Sequence, residues 1–124
     1  MGIFYIDIEI SKPSARPRFN KVKKIMVDTG SEATWIPNHI LRQLKIPIRK
    51  KDQPFIMANG QSITRDIGYA VIRYGEFETI DEVVFAREGD LPLLGARTLE
   101  GFNARVDARR KRLVASGPIP VAAT

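Results

Sequence analysis

The sequence predicts an all-β domain, a small barrel or a sandwich carrying one or two short helices, on three observations. Its apolar residues come in short runs with the alternation or unbroken hydrophobicity of strands. Turn residues punctuate those runs at close intervals. No stretch sustains helical periodicity long enough for a long helix, which leaves sheet as the framework.

Each element follows in order. Residues 3–10 (IFYIDIEI) alternate apolar and acidic towards their end, the period of a half-buried strand. Residues 11–20 contain Pro13 and Pro17 and read as a loop. Lys24 to Val27 is a short apolar strand that stops abruptly at Asp28-Thr29-Gly30. Beyond this turn, Pro37 suits the first turn of a helix on which Ile36, Ile40, Leu41 and Leu44 share one face, with Pro47 as its stop. Phe55 to Ala58 and Gln61 to Thr64 flank Asn59-Gly60, a strong hairpin signal, so a projecting hairpin is expected there.

Residues 69–74 and 79–86 are rich in β-branched and aromatic residues and read as two antiparallel strands joined at Gly75-Glu76. Leu91-Pro92-Leu93-Leu94-Gly95 is an apolar run closing on a glycine, and Ala96 to Gly101 can hold one or two helical turns. Ala104 to Asp107 and Arg112 to Ala115 can pair as a last hairpin. The expected organisation is one domain over residues 1–124, with a core within about 3–115 and a loose tail over 116–124.

Composition narrows the chemistry. The chain has 124 residues, a hydrophobic fraction of 44% and a charged fraction of 27%, ordinary values for a folded domain. There is no cysteine and one histidine, His39, so thiol nucleophiles, cysteine zinc sites and disulfide scaffolds are disfavoured, and carboxylates and hydroxyls remain. No metal or cofactor is expected. No run approaches the ~18 apolar residues of a membrane span, and Asp7 and Glu9 interrupt what a secretory signal would keep apolar, so a cytoplasmic protein with no membrane partner is expected. Net charge is +6, concentrated in residues 21–24, 49–51 and 109–112. A nucleic-acid-binding barrel is the basic alternative, but aromatics do not interleave these runs, and charge runs usually form solvated faces.

Asp28-Thr29-Gly30 is the informative tripeptide: an acid held just past a buried strand, a hydroxyl, and a glycine that permits close backbone approach. A plain turn is the alternative for the tripeptide alone. With the Asn59-Gly60 hairpin and Leu93-Leu94-Gly95 following in that order, residues 22–115 resemble the retropepsin-like aspartic peptidases. IMVDTGSEATWIP is similar to the family's catalytic loop, PFIMANGQSI to its flap, and LPLLGARTLEGF to its hydrophobic-hydrophobic-Gly segment and following helix.

The resemblance implies a small closed β-barrel that works as a homodimer on a peptide or protein substrate, each chain supplying one Asp-Thr-Gly to a shared site. It implies that Asp28 is the catalytic acid or base, that Thr29 cross-links the two active-site loops, and that Gly30 offers backbone to substrate. It places Glu32 near the substrate backbone, Asn59 and Gly60 at the flap tip, and Ile56, Met57 and Ala58 on the flap underside. Strand alternation puts Leu91 and Leu93 on one face as pocket residues, with Leu94 in the core and Met26 a weaker pocket candidate. Ser31 can hydrogen-bond the Asp28 carboxylate or serve the turn. Trp35 reads as core or pocket wall, and His39 as an exposed or capping residue.

The chain departs from the viral pattern by having Ala96 after Gly95, with Arg97 one position on, and Arg97 is read as a partner for Glu32. Two close carboxylates share one proton, which predicts a bell-shaped rate profile favouring acid. A silent scaffold of the same fold is a third reading.

Overall fold

A computed structural model describes residues 3–122. In β1 (Tyr5–Ser11) the alternation works as read, with Ile6, Ile8 and Ile10 buried and Tyr5 and Asp7 exposed. β2 (Asn20–Val27) starts earlier than its apolar run, because Lys21 and Lys23 take the solvent face while Val22 and Ile25 enter the core. The first basic cluster is therefore the wet side of a strand. Its last member, Lys24, lies in the left-handed region (φ 56°) at a bulge against β1, and its N–H donates to Asp7 Oδ1 at 3.0 Å.

β3 (Thr34–Pro37) is the one strand absent from the sequence reading, and it corrects the helix. Ile36 is a strand residue that pairs with Phe85, not the first apolar position of a helix. Pro37 has ψ 131°, outside helical values, so α1 spans only Asn38–Gln43. Leu41, Ile40 and Leu44 still face the core, and the chain turns away at Lys45 (φ 57°), before Pro47 is reached.

β4 (Lys50–Ile56) and β5 (Ser62–Tyr74) form the hairpin, and β6 (Phe77–Ala86) returns along β5. Met57 N–H donates to Gln61 O and Gly60 N–H to Met57 O, each at 2.8 Å. The left-handed conformation of Gly60 (φ 85°) closes this turn without a Cβ penalty. β7 (Leu93–Leu94) is two residues long, α2 spans Ala96–Phe102, and β8 (Ala104–Asp107) pairs with β9 (Arg112–Ala115) as a separate hairpin. Residues 116–122 have no regular structure and are exposed; residues 1–2 and the last two residues of the expected tail lie outside the described residues.

The strand order of the large sheet is β1-β2-β7-β3-β6-β5-β4, and β1 also pairs with β5 through Glu9–Arg73, Ile10–Ile72 and Ser11–Val71. The ladder that starts at β1 thus returns to it, with β4 outside the circuit. The main core includes Ile8, Ile10, Ile25, Ile36, Leu41, Ile72 and Leu94. A second apolar cluster of Trp35, Ile67, Val84, Ala86 and Leu93 is separate from it. Among the described residues no helix is long and apolar enough to cross a membrane.

Candidate active site

Asp28 directly follows β2 and is held by backbone on both sides. Its N–H donates to Leu94 O at 3.0 Å, its carbonyl accepts Ser31 N–H at 3.2 Å, and its Oδ1 accepts Gly30 N–H at 2.9 Å. The parallel pairing of Met26 with Leu93 and Val27 with Leu94 brings β7 alongside, so the Asp28 loop rests on the Leu-Leu-Gly segment. Asp28 is half-buried, whereas Thr29 and Gly30 are exposed at the loop's outer end.

Of the two roles open to Ser31 from sequence, the structure shows the turn role: its Oγ donates to Ala33 O at 3.1 Å and not to the Asp28 carboxylate. The turn that directs Ser31 N–H to the Asp28 carbonyl sends the side chain onward along the chain, so Ser31 serves the turn.

Behind the loop lies a buried polar chain. Gly95 N–H donates to Thr34 Oγ1 at 3.0 Å, the Thr34 and Thr98 hydroxyls meet at 2.6 Å, and Thr98 Oγ1 donates to Asp81 Oδ2 at 2.8 Å. Since the Thr98 proton goes to Asp81, Thr34 donates to Thr98, and the donors run in one direction from Gly95 to Asp81. Ala96 N–H to Ser31 O (2.7 Å) and Arg97 N–H to Glu32 O (3.1 Å) complete the seam between α2 and the loop. A Cβ on Gly95 would come within 2.3 Å of the Ala33 carbonyl oxygen, so this close approach requires glycine.

In front of Asp28 is a cleft of about 850 Å³. It brings together Asp28, Gly30, Glu32, Ile56, Met57, Ala58, Leu91 and Leu93 from the sequence reading, with Met26 as well. Leu93 is buried in the floor and Leu91 is 66% exposed at the rim, in the loop before β7 and not on a strand. Thr29 does not line the cleft, and neither do Asn59 and Gly60, which form the hairpin tip beyond it. The Thr29 hydroxyl makes no hydrogen bond among the described residues. His39 is exposed on α1, outside this cleft. Among the described residues no three carboxylate or imidazole side chains converge in metal-ligand geometry.

Charged groups border the cleft in linked pairs. Arg97 reaches Glu82 at 3.2 Å and Glu32 at 3.4 Å, and Lys50 also pairs with Glu82, whose hydrogen bond holds the Lys50 ammonium above its ordinary range. The Arg97–Glu32 contact expected from sequence is present, though Glu32 is 82% exposed. Arg65 on β5 grips Asp90 with two bonds, Nε to Oδ2 at 2.7 Å and an NH2 group to Oδ1 at 2.9 Å, both side chains nearly buried. The Arg65 hydrogen bonds hold the Asp90 carboxyl below the usual carboxylate range.

Set beside this geometry, a family model described as "gag-polyprotein putative aspartyl protease" matches residues 19–101. The chain belongs to that aspartyl protease family. No curated protein and no solved structure matches it. The matched span runs from the loop before β2 into the last turn of α2 and includes the Asp28 loop, the β4–β5 hairpin and the Leu-Leu-Gly segment. β1 and the β8–β9 hairpin fall outside it.

Sequence reasoning did not assign Phe55, Ile67, Val84, Lys50, Glu82 and Asp90 to the cleft. Lys50 was hidden in a basic run. Alternation along β6 offered the one available signal, since Glu82 and Val84 fall two apart on one face.

Proposed function

We propose that the protein is an aspartic endopeptidase whose active site is shared between two identical chains, each giving one Asp28. The observation that carries this reading is the Asp28 carboxylate, oriented by Gly30 N–H at the open side of a cleft large enough for an extended peptide. The sequence contains one Asp-Thr-Gly, so a second carboxylate comes from a second copy. The exposed Thr29, beside Asp28 but outside the cleft, is available to the facing loop. The ladder returning from β5 to β1 supports the small closed barrel that such a dimer uses.

Two carboxylates within hydrogen-bond reach cannot both ionise, so the pair holds one proton. The ionised member takes a proton from a water held between them as that water attacks the peptide carbonyl carbon. The protonated member donates to the carbonyl oxygen. As the tetrahedral intermediate collapses, the carboxyl that took the water's proton passes it to the leaving nitrogen, the other carboxylate recovers its proton from the intermediate's hydroxyl, the C–N bond breaks, and both products depart without a covalent enzyme intermediate. The β4–β5 hairpin, with Ile56, Met57 and Ala58 on the cleft, acts as the flap that excludes water and adds main-chain contacts. Glu32 at the rim accepts substrate backbone N–H groups.

The test is peptide-mixture cleavage from acid to neutral pH with Asp28→Asn beside the native chain. The reading expects loss of about 10²–10⁴-fold or more in rate for the variant and a bell-shaped profile with an acid maximum. Equal cleavage by both proteins would refute it.

A further inference from the structure

The cleft floor is a single row of apolar side chains crossing five strands. Met26 pairs with Leu93, Leu93 with Trp35, Trp35 with Val84, and Val84 with Ile67, so β2, β7, β3, β6 and β5 each contribute one residue to the same face. All five line the cleft. Trp35 is central in that row and the largest of its members. Its strand neighbours Thr34 and Ile36 are fully buried on the opposite face, which commits the indole to the cleft side.

The indole is 7% exposed and packs against Phe55 of the flap strand, ring centroids 5.1 Å apart at 57°. Trp35 therefore occupies, with its own side chain, the hollow that its neighbours enclose. An aliphatic residue at this position would leave that volume open to a ligand.

Resting on the endopeptidase reading, we infer that Trp35 sets the substrate class: it restricts one substrate position flanking the cut bond to small side chains such as Gly, Ala or Ser. A bulky side chain directed at the floor meets a packed indole that Phe55 prevents from swinging aside. Interiors packed at this density do not absorb added methylenes without cost. Rim residues Ile56 and Leu91, which are 80% and 66% exposed, leave other substrate positions open to larger apolar groups.

The experiment profiles cleavage of a peptide library that carries Gly, Ala or Ser against Leu or Phe at each position in turn, for the native chain, Trp35→Phe and Trp35→Leu. Trp35→Phe keeps an aromatic partner for Phe55, so it tests the point even if Trp35→Leu does not fold. Reading the large-to-small ratio removes any dependence on the amount of active protein. The expected result is exclusion of Leu and Phe at one position by the native chain, relaxed at least about tenfold in the variants. An unchanged ratio in variants that still cleave overturns the inference and leaves the peptidase reading standing.

Trp35 is the sole tryptophan, so its emission in the Asp28→Asn chain, titrated with the same peptide pools, reports occupancy without catalysis. If nothing is cleaved but emission shifts with the small-residue pools and not the large ones, the peptidase reading fails and the size restriction at Trp35 stands for peptide binding alone. No cleavage and no emission response overturns both.

Discussion

Thr98 and Gly95 show how single residues hold the Asp28 loop. Thr98 is fully buried, accepts from Thr34 and donates to Asp81, and among the described residues no buried side-chain polar atom lacks a partner. Thr98→Val removes the hydroxyl and keeps the shape, stranding the Thr34 proton and one Asp81 oxygen. The expected loss is about 1–3 kcal/mol of stability, read as a lower urea midpoint with unchanged slope. Gly95→Ala forces a methyl against the Ala33 carbonyl and is expected to cost about 1–3 kcal/mol in the same assay. Its backbone shift would also reach Asp28, whose N–H is bonded to Leu94 O one residue away. A Gly95→Ala chain as stable and as active as the native one would contradict this account of the seam.

At the scale of elements, the β4–β5 hairpin is anchored at two places, Phe55 against Trp35 on the floor and Arg65 against Asp90 in the loop that carries Leu91. The second anchor depends on pH with a definite sign. Arg65 depresses the folded-state value of Asp90, so the pair's contribution is fully present above the unfolded carboxylate value of about 3.9 and is lost as pH falls through the lower folded value. The anchor consequently survives the moderately acid range in which a shared-proton dyad works. Asp90→Asn is expected to lose about 1–3 kcal/mol at pH 7 and to show a shallower further loss towards pH 2 than the native chain. Urea denaturation at both pH values checks this, and equal acid slopes would contradict it.

Local elements were legible in sequence because their signals are local: alternation in Ile6, Ile8 and Ile10, the Asn59-Gly60 turn, the β5–β6 pair, and the β8–β9 hairpin. Asp28 was legible for the same reason, an acid placed just past a short apolar strand. β3 was not, because Thr34-Trp35-Ile36 is extended only through partners some 50–60 residues away, Val84 and Leu93 among them. Once Ile36 belongs to a strand, Trp35 turns from a wall of uncertain side into the cleft floor. The Ser31 hydroxyl was left between two roles for a related reason, since its direction follows from the turn's hydrogen bonds and not from its nearness to Asp28.

For the whole molecule, the proposal makes activity a property of a pair of chains. A lone chain holds one Asp28 and an exposed Thr29 loop, so specific activity is expected to fall on dilution as the dimer dissociates, in step with the sedimentation coefficient. The measurement that tests the central claim most directly is subunit mixing. Native and Asp28→Asn chains are combined at constant total concentration, allowed to exchange, and assayed for peptide cleavage. If each site needs one Asp28 from each chain, activity follows the square of the native fraction, because only native–native pairs are competent. Activity linear in the native fraction would mean that one chain carries a complete site, and it would contradict the shared-carboxylate account.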